Sequence, residues 1–305
     1  MIDKKTILII PNGTQIVTLN KAKVLSKARF HPKGTVGKIK SAPIDATHSY
    51  LIEFLDDSSA VLKRNEFSIR KDYQTEIAFN SQETTNFNDF IIYRCVVGSR
   101  AFGLDDENSD FDYRGIYLPP ADLHWSLYGV PEQLENIEKQ ECFWELQKFL
   151  ILALKANPNI LECLNTPLIE YKNEIAEELL AIKEIFFSKL VYQTYNGYVM
   201  SQFKKIEQDL RTRGEIRSKH AMHLIRLLLQ GIEILRSNEL NIRVSEHREQ
   251  LLSIKRGEMS WKDLNIWRIE LHKEFEKAFE KTKLPERPYY EKANQFLLYS
   301  RRKMI

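Results

Sequence analysis

An α+β architecture in three parts is what this 305-residue sequence predicts, and three observations carry it. Residues 1–72 alternate short apolar stretches with turn signals, the pattern of a small β-barrel. Residues 91–97 form an apolar and β-branched run that stops at Gly98-Ser99, and a second strand-like run carries Asp110-Phe111-Asp112; together they predict a mixed sheet with helices. From residue 173 onward the hydrophobic spacing is almost wholly helical, with few glycines and no strand runs, as a helical domain requires. The boundaries that follow are 1–72 for the barrel, 73–88 for a polar linker, 89–172 for the sheet domain and 173–305 for the helical domain.

Composition sets the class. Apolar residues make up 43% and charged residues 29% of the chain, the balance of an ordinary soluble globular protein. No window of eighteen apolar residues occurs, and the opening Met-Ile-Asp-Lys-Lys lacks the apolar stretch of a signal peptide. A cytoplasmic protein without a membrane partner is expected. Three cysteines, Cys95, Cys142 and Cys163, are odd in number and share no CxxC spacing, which suggests neither a disulfide framework nor a zinc site. The net charge of +3 argues for no partner by itself.

In the first part, short strands are expected over 6–10, 15–19, 34–38, 50–55, 60–62 and 67–69, punctuated by Pro11-Asn12-Gly13 and Asp56-Asp57. Gly34-Thr-Val-Gly37, Tyr50-Leu-Ile-Glu-Phe and Phe67 in this order resemble an SH3-like barrel. Residues 1–72 hold 13 Lys and Arg against 7 Asp and Glu. Such a module could hold a nucleic-acid backbone, or could simply pack with its basic face solvated. Residues 73–88 are polar and aperiodic, hence the linker.

The second part begins with the run over 91–97. Pro119-Pro120 ends the next strand, since proline cannot continue a ladder. A short helix or loop is expected over 121–129 and a strand over 132–140. Residues 141–156 read as a helix, with Phe143, Leu146, Phe149, Leu150 and Ala153 on one face. Asn157-Pro158-Asn159 stops it, and another helical turn begins at 160–165. In the third part helices are expected over 174–187, 189–213, 218–237, 244–256, 261–282 and 289–303. Tyr192, Tyr195, Val199 and Phe203 make a core stripe. The closing Arg301-Arg302-Lys303 reads as a solubilising tail.

The chemistry concentrates between residues 98 and 114. Residues two apart on a strand point the same way, so Asp110 and Asp112 would repel unless a cation sat between them. A divalent metal resolves that conflict, and hard oxygen ligands that leave room for phosphate oxygens favour Mg²⁺, with two ions expected and Mn²⁺ as a substitute. Gly98 permits a tight turn and a close backbone approach, while Ser99 offers a hydroxyl and an amide N–H to a phosphate.

Gly98-Ser99-Arg100-Ala-Phe-Gly-Leu, followed about ten residues later by Ser109-Asp110-Phe-Asp112-Tyr-Arg114-Gly115, resembles the Gly-Ser…Asp-x-Asp signature of the DNA polymerase β-like nucleotidyltransferase superfamily. The fuller pattern looks like its bacterial branch related to the RNA-ligase-associated group, and the resemblance runs over roughly residues 90–305. It implies a polymerase β-like nucleotidyltransferase core that transfers an NMP from an NTP to an acceptor hydroxyl, most readily RNA or tRNA, with release of pyrophosphate. A protein acceptor is the alternative, as is an inactive nucleotide- or RNA-binding module on the same fold.

The same resemblance implies three metal-binding carboxylates, the third from a separate strand. Asp110 and Asp112 supply two. Glu138 is the preferred third and Glu141 the other candidate, because Gln140 stands where related sequences often carry Asp. Glu141 is instead expected to support the following helix through its dipole. Gly98, Ser99, Arg100 and Arg114 are implied as nucleotide-binding. So are Lys219, His223 and Arg226, which with Gln230 recur at helical spacing as a polar stripe that could meet the β- and γ-phosphates.

Overall fold

The computed structural model describes residues 9–25, 29–43, 48–73, 85–107 and 109–305. The chain divides into two compact units, Met1–Asn86 and Phe87–Ile305.

In the first unit, β1 (Gln15–Thr18), β2 (Ala22–Lys23), β3 (Phe30–His31), β4 (Val36–Ser41), β5 (Tyr50–Phe54), β6 (Ser59–Leu62) and β7 (Phe67–Ile69) follow one another. Five of them make an antiparallel sheet in the order β6-β5-β4-β1-β7, while β2 and β3 pair separately. Alternation decides the faces: Tyr50, Ile52 and Phe54 turn inward from β5, with Leu51 and Glu53 between them. The inward set meets Ile16, Ala60 and Phe67 in a small core, where the Tyr50 and Phe67 rings pack edge to face at 5.1 Å. Among the described residues β6 and β7 are sheet edges that no pairing joins. The unit is therefore an open sheet there, not the closed SH3-like barrel expected from the sequence. The strand expected over 6–10 and the linker expected over 73–88 lie largely outside the described residues.

The second unit is built on β8 (Ile91–Val97), β9 (Asp112–Tyr117), β10 (Gln133–Asn136), β11 (Glu141–Glu145) and β12 (Ile169–Lys172), in the spatial order β10-β11-β9-β8-β12. β8 and β9 are antiparallel, and β9 and β11 run parallel. Strand β8 is apolar apart from Arg94, as a strand paired on both edges favours. Gly115 is what lets β9 approach it: a Cβ there would lie 1.9 Å from the Tyr93 carbonyl oxygen.

Around the sheet lie α1 (Ser99–Phe102), α2 (Ala121–Trp125), α3 (Leu146–Leu154), α4 (Pro158–Asn165), α5 (Glu174–Ala181), α6 (Leu190–Arg213), α7 (Ser218–Ser237), α8 (Arg248–Lys255), α9 (Trp261–Lys281) and α10 (Tyr290–Arg302). Their apolar stripes and one face of the sheet share a continuous core that runs from Tyr93 and Phe149 through Tyr195 and Leu224 to Phe275 and Phe296. Tyr192 stacks on Phe279 at 4.2 Å and Phe203 lies beside Trp261, so the expected stripe on α6 is core. The mixed α+β class is seen directly, and no described helix is long and apolar enough to cross a membrane.

Three expected elements differ. The helix read over 141–156 is instead a strand followed by a helix. Residues 141–145 pair in parallel with β9, and the helix starts only where Glu145 caps it by accepting from Gln147 N at 2.8 Å and Lys148 N at 3.3 Å. The strand read over 132–140 is shorter, because residues 137–140 form the turn of the β10–β11 hairpin and Gln140 adopts φ +54°. The helix read over 244–256 begins later, since the Val244 amide is spent on the Phe102 carbonyl at 3.0 Å.

Candidate active site

The site grows from the end of β8. At Gly98 the backbone takes φ +74° and ψ −155°, a region that side chains strongly disfavour, and the chain turns at once into α1. The opposing strand starts at Asp112, in register with Val97. A Cβ on Gly98 would stand 2.6 Å from Asp112 Oδ2, so the bare glycine is what allows that carboxylate to lie against the turn. Asp112, Arg114 and Ile116 share one sheet face by alternation, with Cys95 and Tyr93 beside them.

Asp110 is exposed and sits two residues ahead of β9, in the loop rather than on the strand. Arg100 fixes that loop. It donates from Nη2 (2.6 Å) and Nε (3.2 Å) to the Ser109 carbonyl, and its guanidinium lies 3.8 Å over the Phe111 ring. Phe111 in turn stacks on Tyr113 at 6.0 Å with the planes 11° apart. In this geometry Arg100 holds the residues on either side of Asp110. Arg114 does the same for the strand start. Its Nη1 donates to the carbonyls of Tyr113 (2.7 Å) and Gln140 (2.9 Å), while Nη2 lies 3.8 Å from Asp112 Oδ1.

Neither third carboxylate arrives as expected. Glu138 is exposed in the 137–140 turn, which has no strand face to share. Glu141 does open β11, but it is in register with Tyr113, one residue out of phase with Asp112, and therefore faces the other side of the sheet. There it takes Arg94 Nη2 at 2.9 Å. It does not serve the helix dipole either, because Glu145 is the cap. Among the described residues no three His, Cys, Asp or Glu side chains gather as metal ligands.

The polar stripe on α7 divides. Lys219 is exposed in the first turn. His223 is pushed down to about 4, first by burial and then by the positive charges of Arg226, Lys205, Lys219 and His220, so the ring is neutral at pH 7. Arg226 is buried: Nη2 donates to Glu162 Oε1 at 3.0 Å, and its guanidinium covers the Phe102 ring at 3.3 Å. Gln230 Nε2 donates to the same Glu162 oxygen at 3.1 Å. Two of the four stripe residues thus tie α7 to α4 and α1 instead of meeting solvent.

Residues that the sequence did not single out complete the frame. Lys255 Nζ donates to the Leu104 carbonyl at 2.9 Å and pairs with Asp106, while Arg248 Nε donates to the Gly103 carbonyl at 3.1 Å. With Val244, they stitch the end of α1 and the loop after it to α8 and the segment before it.

A family model described as the RNA repair pathway DNA polymerase beta family matches residues 69–299. Over 147 residues the chain is 29% identical to the uncharacterized protein YcgL of Bacillus subtilis (strain 168), covering 46% of this chain and 54% of that protein. Over 169 residues it is 27% identical to the uncharacterized protein MJ0002 of Methanocaldococcus jannaschii, covering 53% of this chain and 67% of that protein. The chain thus spans about half the length of the first relative and two thirds of the second.

Proposed function

Since this chain belongs to the RNA repair pathway DNA polymerase beta family, a family of polymerase β-like nucleotidyltransferases, we propose that it transfers an NMP from an NTP to a hydroxyl of RNA or tRNA, releasing pyrophosphate. The observation that carries this reading is the contact of the Asp112 carboxylate with Gly98, with Asp110 held on the adjoining loop. Two hard oxygen ligands beside an open turn fit Mg²⁺, whose remaining positions phosphate oxygens and water can fill. Asp110 and Asp112 would hold the ion. Bound there, it would neutralise the triphosphate and lower the pKa of the attacking hydroxyl.

The chain's own groups do the rest. The turn at Gly98-Ser99 offers amide and hydroxyl donors to the phosphates. Arg100 and Arg114 keep the two aspartates in place through backbone carbonyls, so that orientation is set before the substrate arrives. We assign the first unit, SH3-like in its sequence pattern, to holding the RNA backbone, on the strength of its 13 basic against 7 acidic residues in 1–72. A cytoplasmic setting suits the buried thiols of Cys95, Cys142 and Cys163.

A second reading has its own support. The absence of a third grouped carboxylate among the described residues, with Gln140 at the strand end, favours a module that binds nucleotide or RNA without turnover. One experiment separates the two: incubation with each α-labelled NTP, Mg²⁺ and either RNA or cellular protein. Label entering RNA with wild type, and not with Asp110→Asn/Asp112→Asn, supports transfer. Label entering protein alone moves the acceptor to a protein hydroxyl. NTP binding without label transfer to either supports the module.

A further inference from the structure

A cleft of about 920 Å³ lies beside α1, between α7, α9 and the segment before α8. Phe102, the last residue of α1, lines it, and so does Pro167. These two place it next to the turn. Phe102 lies one short helix, about 4.5 Å of rise, from Ser99. Pro167 sits between Thr166, whose hydroxyl donates to the Val96 carbonyl at 2.7 Å, and Leu168, whose carbonyl accepts from Val96 N at 2.9 Å. Val96 is two residues before Gly98. The cleft therefore flanks both ends of the segment that carries Gly98-Ser99.

Its inner wall is unusual in what it leaves unpaired. Arg226 and Gln230 both line it and are 9% and 6% exposed. Each gives one donor to Glu162, and each keeps one buried polar atom without a partner: the Arg226 Nε–H donor and the Gln230 Oε1 acceptor. Four residues apart on a helix, they are neighbours. Buried polar atoms are normally paired, so a donor beside an acceptor on a cleft wall marks a place for a group bearing the complementary pair. Trp267 and His247, ring centroids 5.6 Å apart, add an aromatic wall. The rest of the polar lining holds more carboxylates than guanidinium groups, which disfavours a polyphosphate inside and favours an uncharged group.

We propose that this cleft is a nucleobase pocket: a base enters flat against the aromatic wall and presents a ring acceptor to Arg226 Nε–H and an N–H donor to Gln230 Oε1, an edge pattern that bases carry. The assignment deepens the nucleotidyl-transfer reading and rests on it for the direction of the triphosphate, which runs from the cleft toward Gly98-Ser99 and the two aspartates. The base-binding half stands by itself.

Free nucleosides test that half, because they carry no phosphate. Adenosine, guanosine, cytidine and uridine are titrated into the full chain, with binding read by ligand-observed NMR and folding by thermal melting. At least one nucleoside should bind wild type and Asp110→Asn/Asp112→Asn alike. Gln230→Leu should weaken it about tenfold, the worth of one hydrogen bond, and Trp267→Phe, which keeps an apolar ring against the core but gives up part of the aromatic wall, should weaken it as well. Binding that is absent for all four nucleosides, or unchanged in both cleft variants, overturns the pocket. If a nucleoside binds as described while wild type transfers no label to any acceptor, the pocket stands and the transfer reading fails.

Discussion

Gly98→Ala isolates the contact on which the site depends. The backbone angles there, φ +74° and ψ −155°, belong to a region nearly confined to glycine, so alanine costs about 1–3 kcal/mol in strain alone. The new methyl group would meet Asp112 Oδ2 at 2.6 Å, whereas ordinary contact starts at 3.4 Å, so the carboxylate must retreat by about 0.8 Å. A misplacement of about 1 Å in a reacting constellation costs about a hundredfold in rate. The assay pairs denaturant unfolding with transfer of label from α-labelled NTP. Gly197→Ala serves as the control, because it lies within α6 with nothing inside 4 Å of its Cβ and should gain about 0.5–1 kcal/mol. If Gly98→Ala unfolds at the wild-type midpoint and transfers at the wild-type rate, the turn does not position Asp112 and the reasoning is refuted.

Other consequences can be measured. Arg226→Ala leaves Glu162, 6% exposed, as a buried carboxylate without its cation and should cost about 3–5 kcal/mol in urea unfolding; removing both partners should cost less than the sum of the two single changes. His223 binds a proton near its ordinary 6.5 when unfolded and only near about 4 when folded. Its contribution is therefore complete above pH 6.5 and is lost as pH falls toward 4, by about 3 kcal/mol. His223→Gln should flatten the stability profile over that window, and an unaltered profile would count against burial of the ring. Arg100→Lys cannot reproduce two donors on the Ser109 carbonyl or the stacking on Phe111. It should lower kcat more than it raises KM for NTP in steady-state kinetics, whereas a rise in KM alone would make Arg100 a nucleotide ligand.

How far the sequence reached can be judged residue by residue. The β8 run, the stop at Gly98 and the two aspartates were legible because they depend on local pattern, and helices such as 218–237 were legible because their stripes are long. Residues 141–145 were misread because Phe143 continues the spacing of the helix that follows. What makes them a strand is pairing with β9, a contact distant in sequence. Strand β12 lay hidden because its four residues are all exposed at a sheet edge and show no alternation. Arg226 and Gln230 read only as part of a polar stripe open to phosphates, since the carboxylate that draws them inward is 64 residues away from Arg226. Asp112 lies against the turn at Gly98, whereas Asp110 stands in the loop ahead of the strand, because the ladder with β8 begins at Asp112.

The account turns on whether Asp110 and Asp112 together hold a divalent ion in front of Gly98-Ser99. Electron paramagnetic resonance with Mn²⁺ and a non-hydrolysable NTP analogue reads this without requiring an acceptor. The expected result is at least one Mn²⁺ per chain whose binding is strengthened by the analogue and abolished in Asp110→Asn/Asp112→Asn. Equal Mn²⁺ binding by wild type and the double variant would contradict it.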